Sequence, residues 1–374
     1  MSAKRLSATN NSAIASVSIS KNILTLSCQS KPLHSLLSQA LVAFTIEFDN
    51  EAEHRMAHRT SNFGAPGGRG SPWLVSMVMW FNCIRYLAEQ NMDAGELERA
   101  AGTKTNLRGM QRWGCVQLRA DGQIALTPAG RRAYEIWKPL FGELEQRWCD
   151  RLGRDAIDGL RKALLNIAVQ LPADLPDCMP IVSYGQRTPD EYISRPGAAN
   201  FKEMTLAALM AKVLLQFTRD FEKSFRLSLP VCANILQIIS NEGMQVRELP
   251  VASGIAKEAI DLMLRFLQKH GLATVTAENP SPFRNVSLSD SGLRARGKYL
   301  ETVNKIEISW NNRYGAGALN ALRLQLTHVV CDSQRCLLKG AEPYADNWRA
   351  KLRARRVLPN QPVITHRGGY PDGS

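Results

Sequence analysis

The chain has 374 residues, 44% hydrophobic and 22% charged, which is the composition of two or three globular domains and excludes a fibrous or wholly disordered protein. A net charge of +13 points to a polyanionic partner, although +4 falls in the first 32 residues and +5 in Ser333–Ser374, leaving +4 for the body. The longest apolar run, Trp73–Ile84, is interrupted by Ser76 and Asn82 and is too short to span a bilayer, so no membrane partner is expected.

In chain order, residues 1–32 are Ser-, Ala- and Asn-rich and read as a disordered basic tail without the apolar core of a signal peptide. Leu33–His58 carries apolar residues at helical spacing, and a second helix follows Pro72. Asp93–Ala101 and Asn106–Trp113 are two short helices around Gly102, the pattern of a helix-turn-helix. Val116–Thr127 alternates about Asp121-Gly122, a hairpin signal, and Thr127 is placed to cap the long helix Ala129–Trp148, followed by a helix over Asp155–Gln170. The five prolines between Leu171 and Asn200 mark a linker over 172–200. The same series then recurs over 201–332: helices at Phe201–Phe225 and after Pro230, short helices Val246–Ala252 and Ala256–His270 around Gly254, and a hairpin from Leu272 to Ser289. Helices Ser291–Arg313 and Ala318–Val330 close it, and residues 333–374 read as a loose basic tail with a short helix at Tyr344–Arg353.

The recurrence is visible residue by residue. Phe44, Thr45 and Phe48 match Phe217, Thr218 and Phe221 at an offset of 173. Glu96-Leu97 matches Glu248-Leu249 at 152. At 162, Leu126, Gly130, Trp148, Arg151, Gly153, Leu160, Arg161 and Leu164 match Leu288, Gly292, Trp310, Arg313, Gly315, Leu322, Arg323 and Leu326. Three blocks in one order imply an internal duplication.

The helix order together with the stretches Leu126–Ala133 (LTPAGRRA) and Leu288–Ala295 (LSDSGLRA) resembles the MarR family of transcriptional regulators, over about residues 33–171 and 201–332. The resemblance implies a mainly α fold with small β-hairpin wings: two tandem winged-helix domains forming an intramolecular pseudo-dimer. It further implies a regulator, of repressor type, that binds double-stranded DNA and answers to a small apolar effector, with further dimerisation left open. Two rival functions stand beside it: a winged-helix scaffold for protein partners, and a small-molecule or redox sensor whose DNA affinity comes from its tails.

Within repeat one, Thr103, Lys104, Thr105, Asn106, Arg108, Gln111 and Arg112 lie opposite the apolar seam of Leu107, Met110 and Trp113. Arg and Gln or Asn supply the groups that read guanine and adenine edges in a major groove, and threonines at a helix start suit phosphate. In repeat two the equivalent residues are Ser253, Lys257 and Arg265, accompanied by Glu258 and Asp261, which repel phosphate. Wing candidates are Arg119 and Gln123 in repeat one and Arg284 and Asn285 in repeat two. Repeat one runs five residues shorter from Leu97 to Gly114 than repeat two from Leu249 to Gly271, so its reading helix must lose more than a turn or start later.

Glu47, Glu51, His54 and His58 share a helical face, a spacing open to zinc and equally to a polar stripe; the stripe is expected, and His328, Cys331 and Cys336 match no zinc spacing. The eight cysteines show no C-x-x-C, so reduced thiols in a cytoplasmic protein are expected. Trp73–Phe81 is expected as core helix, with the alternative that it lines an effector pocket. Catalytic motifs are absent: there is no G-x-S-x-G, H-E-x-x-H or dinucleotide fingerprint, so no enzyme activity, cofactor or metal is expected.

Overall fold

The computed structural model describes residues 30–56, 76–101, 107–172, 175, 201, 203–277, 284–345 and 357–363. Most of them are helical, with two small antiparallel sheets. Repeat one comprises α1 (Leu33–Arg55), α2 (Met77–Leu87), α3 (Ala94–Ala101), α4 (Leu107–Arg112), β1 (Val116–Leu118), β2 (Ile124–Leu126), α5 (Pro128–Trp137), α6 (Leu140–Leu152) and α7 (Arg154–Ala168). Repeat two begins with α8 (Leu206–Ser224) and a turn α9 (Leu229–Val231) that continues as a π-turn over Cys232–Leu236. It goes on through β3 (Met244–Gln245), α10 (Leu249–Ser253), α11 (Lys257–Lys269), β4 (Ala273–Ala277), β5 (Arg284–Leu288), α12 (Asp290–Tyr314) and α13 (Ala316–Thr327). A π-turn over His328–Asp332 leads to α14 (Gln334–Gly340).

The two repeats share one core, in which α1 packs along α8 and α7 along α13. Helix α1 is buried on almost all sides, and its polar groups are matched accordingly. Glu47 accepts from the Trp148 indole at 2.9 Å and from Arg151, and Asp49 accepts the Val78 N–H at 3.0 Å. Glu51 accepts from Arg55 at 2.6 Å, Arg147 at 2.8 Å and the Tyr344 hydroxyl. Burial opposes ionisation of Glu51, but the bonds from Arg147, Tyr344 and Arg55 outweigh it and hold its pKa down at about 2. His54 stacks on Tyr344, so the polar face of α1 is spent on arginine and aromatic contacts; His58 lies outside the described residues.

Contacts recur in pairs at the offsets seen in the sequence. Phe44 meets Trp148 at 5.3 Å and 65°, and Phe217 meets Trp310 at 5.2 Å and 65°. Trp148 donates to Glu47 at 2.9 Å and Trp310 to Asp220 at 3.0 Å, while Thr45 and Thr218 each donate to the carbonyl one turn back at 2.9 Å. The isolated bridge Met92↔Ile124 in repeat one stands where β3 pairs with β5 through Met244↔Val286 in repeat two. Arg161 reaches across to the Met204 carbonyl at 2.8 Å, and Arg323 returns the contact to the Lys31 carbonyl at 2.7 Å. Such a reciprocal exchange is the mark of two-fold symmetry between like units.

Each hairpin is locked to the helix after it. Thr127 caps α5 by accepting the Gly130 N–H at 3.0 Å, and Ser289 caps α12 by accepting the Gly292 N–H at 3.1 Å. Both glycines are needed for close approach, since a side chain at Gly130 would run into the Cys115 carbonyl and one at Gly292 into the Leu272 carbonyl.

Three expectations change. The helix expected over Ala129–Trp148 divides into α5 and α6 at Lys138-Pro139, because Pro139 has no N–H for the helical ladder; its counterpart α12 has Glu301 there and runs unbroken. The hairpin expected about Asp121-Gly122 is present and closes through a three-residue loop. Arg119 N–H donates to the Gln123 carbonyl at 2.8 Å, with Gly122 at φ 80° closing the turn. Cys331 is disulfide-bonded, contrary to eight reduced thiols; Cys83, Cys115, Cys149, Cys232 and Cys336 are free. The stretch after Ser333 is not a loose tail throughout, since it holds α14 and a buried segment at 357–363, with Leu358, Gln361 and Val363 all buried. The expected helix at Tyr344–Arg353 falls largely outside the described residues. Among the described residues, no helix is long and apolar enough to cross a membrane.

Candidate nucleic-acid interface

In repeat one, α3 opens with a reciprocal cap: Glu96 N–H donates to the Asp93 carboxylate at 2.8 Å and Asp93 N–H to Glu96 at 3.1 Å. Leu97 and Ala101 bury one face of α3, and Met110 anchors α4. Trp113 packs edge-on to Trp80 at 5.3 Å, which fixes the end of α4 against α2. With Met110 inward, Arg108, Gln111 and Arg112 are exposed on the opposite side. Thr103, Lys104, Thr105 and Asn106 lie outside the described residues. The hairpin β1–β2 follows, pairing Val116↔Leu126, Gln117↔Ala125 and Leu118↔Ile124, and it carries Arg119 at its turn. Arg119 is half-exposed and 3.9 Å from an equally exposed Asp121, a pair too loose and too solvated to hold the guanidinium. Gln123 is partly buried in the same loop.

Repeat two builds the same outline with different chemistry. Gln245 and Glu248 form the reciprocal cap at the position of Asp93 and Glu96. Gly254, at φ 70°, ends α10 in the left-handed conformation that glycine adopts without strain, and α11 begins three residues later. Helix α11 runs for 13 residues and exposes Lys257, Glu258 and Arg265. Ser253 is a correction: it is buried, its hydroxyl donates to the Leu249 carbonyl at 2.6 Å, and no part of it is offered to a ligand. Arg284, a wing candidate, is paired with Asp261 of α11 at 2.8 Å, and the Asp261 carbonyl accepts from Arg265 at 3.2 Å. Asn285 is partly buried in the central strand of the sheet β3-β5-β4, opposite Gln245 and Thr276.

The surfaces therefore differ in what they present. Repeat one exposes Arg108, Arg112 and Arg119, and among the described residues the carboxylate paired with this set is Asp121, 3.9 Å from Arg119. Repeat two spends Arg284 on Asp261 and places Glu258 beside Lys257. Two further cations of repeat one, Arg131 and Arg132 in the first turns of α5, are exposed and extend the basic surface from the wing. They lie inside the LTPAGRRA stretch, and the clue to them was their place just after the Thr127 cap, on the exposed side of a helix start.

No family model matches the chain, and no curated protein or solved structure matches it either.

Proposed function

We propose that the chain is a sequence-specific double-stranded-DNA-binding regulator, built as two tandem winged helices of MarR type that form an intramolecular pseudo-dimer. Base reading is unequal: α4 of repeat one does most of it, and repeat two contributes backbone contacts and a rigid counterpart. The observation that carries this proposal is the exposed set Arg108, Gln111 and Arg112 on a helix anchored by Met110, directly ahead of a hairpin with Arg119 at its turn. Arginine pairs with guanine edges bidentately and glutamine with adenine, so these groups suit a major groove. A symmetric dimer reads a palindrome; unequal reading heads call for an imperfect one, with half-sites about one helical turn apart.

Arg108→Ala combined with Arg112→Ala is expected to weaken binding to a selected site by about 1–3 kcal/mol for each lost base contact. Affinity for random duplex should fall less, measured by titration at fixed salt. An unchanged footprint from the double variant removes α4 as the reader. Trimming residues 1–29 and replacing Arg349, Lys351, Arg353, Arg355 and Arg356 with glutamine separates tail-driven attraction from site recognition. Binding that vanishes with these changes, whatever the sequence of the duplex, would favour the rival with purely electrostatic affinity.

A further inference from the structure

Residues 357–363, Val-Leu-Pro-Asn-Gln-Pro-Val, lie between the repeats as a strap, bent at Asn360-Gln361, whose backbone is held by side chains. Asn234, in the π-turn after α9, makes the double contact of a strand partner: its amide nitrogen donates to the Gln361 carbonyl at 2.8 Å, and its oxygen accepts the Gln361 N–H at 3.0 Å. From α1 of the other repeat, Ser38 donates to the Pro359 carbonyl at 2.9 Å and Gln39 to the Leu358 carbonyl at 3.2 Å. Gln361 donates to Thr218 of α8 at 2.9 Å, and Asn360 bridges from Gln39 at 3.1 Å to the Ala233 carbonyl at 3.2 Å. Ser38, Gln39, Thr218 and Asn234 are all buried with the strap in place, so the strap supplies the partners that its own covering withholds from water. The strap itself suits burial: Pro359 and Pro362 have no N–H to satisfy, and Leu358 and Val363 supply its apolar anchors. At its start, the Val357 carbonyl sits against Gly254, close enough that a side chain there would collide with it.

We propose that the cleft formed by α1, α8 and the Asn234 turn is a peptide-binding site, whose ligand class is an apolar–Pro–Asn–Gln–Pro–apolar segment and whose resident occupant is the chain's own 357–363. Side chains that bond a ligand's main chain, with pockets for alternate residues, are the chemistry by which peptides are recognised. Because Val357 abuts Gly254 at the bend between α10 and α11, the occupied cleft also positions the second reading helix. That consequence, unlike the site itself, rests on the DNA-binding proposal.

The test uses the full chain. Leu358→Asp with Val363→Asp should eject the strap. A fluorescein-labelled peptide of residues 357–363 should then bind the variant saturably, and bind the parent chain at least tenfold more weakly, because the tethered copy competes at high effective concentration. A labelled peptide with Gln361 replaced by Pro, which lacks the N–H that Asn234 accepts, should bind the variant at least tenfold more weakly. A variant with unchanged circular dichroism that takes up no peptide overturns the proposal. Should the variant fail to fold, amide-resolved hydrogen exchange on the parent decides: the Gln361 amide is expected to exchange at least a hundredfold more slowly than in the free peptide, and Asn234→Ala should remove most of that protection. Exchange of Gln361 at the free-peptide rate in the parent overturns it as well. These readouts need no DNA, so their failure is separate from failure of the DNA-binding proposal.

Discussion

Repeat one and repeat two agree in their cores and part company at the short helices and hairpins that carry the candidate surface. The Phe–Trp contact, the indole-to-carboxylate bond, the cap of the helix after the hairpin and the arginine that crosses to the other repeat differ between copies by about a tenth of an ångström. At the opposite end, α4 exposes Arg108 and Arg112, whereas in repeat two Asp261 of α11 holds Arg284 of β5 at 2.8 Å. Close packing explains the contrast. A core residue touches many others and each change leaves a cavity or a clash, whereas an exposed helix face can change charge and length with little effect on stability.

The comparison can be broken most forcefully at the tryptophans. Trp148→Ala and Trp310→Ala should each cost about 3–5 kcal/mol in urea unfolding, because both indoles are fully buried and hydrogen-bonded. If one substitution costs several-fold more than the other, the two cores are not equivalent in energy. Next come the crossing arginines: Arg161→Ala and Arg323→Ala should each lose roughly 1.5–3 kcal/mol, the range for hydrogen bonds to charged groups. Combining them should give their sum to within about 0.5 kcal/mol if the repeats unfold as one unit, since the two arginines have different partners.

His34 sharpens the contrast, since the equivalent position in repeat two is Ala207. Burial beside Tyr299, whose hydroxyl is 3.1 Å from Nε2, pulls the His34 pKa down from 6.5 to about 3. The native state therefore holds the neutral ring, while the unfolded chain takes up a proton below pH 6.5. Stability from this group is complete above pH 6.5 and is lost as the pH falls toward about 3, by at most about 1.4 kcal/mol per unit. His34→Gln should flatten that slope between pH 6.5 and 4, read from unfolding midpoints; an unchanged slope would assign the proton uptake elsewhere. The smallest effect is expected at the caps, where Thr127→Ala and Ser289→Ala should each cost about 1 kcal/mol, and thermal melts of the pair should shift alike.

The strap at 357–363 adds a second asymmetry. Its partners Ser38 and Gln39 in α1 correspond to Ala211 and Lys212 in α8, so the cleft they line cannot be copied on the other side. Lys212 instead gives its ammonium to the Leu175 carbonyl.

Much of the fold was legible because it rests on local rules. Helical spacing, the Thr127 and Ser289 caps, the close-approach glycines Gly130 and Gly292, and three aligned blocks were enough to place the helices, both hairpins and the duplication. Of the candidate surface, Arg108, Gln111 and Arg112 were found by their position opposite Met110, a periodic signal. The burial of Ser253, whose hydroxyl turns into its own helix, and the pairing of Arg284 with Asp261 were not legible, because which face packs inward and which distant groups meet are decided by tertiary contacts.

By itself the sequence determined where helices begin and end and that one unit occurs twice, since capping, periodicity and repetition act within a few residues or by direct likeness. Only the tertiary structure decided that Arg161 and Arg323 trade places across the repeats, that Cys331 is bridged, and that a proline-rich stretch near the end fills the space beside Asn234. Those outcomes depend on which distant groups meet in the buried interior, where a polar atom left without a partner is costly.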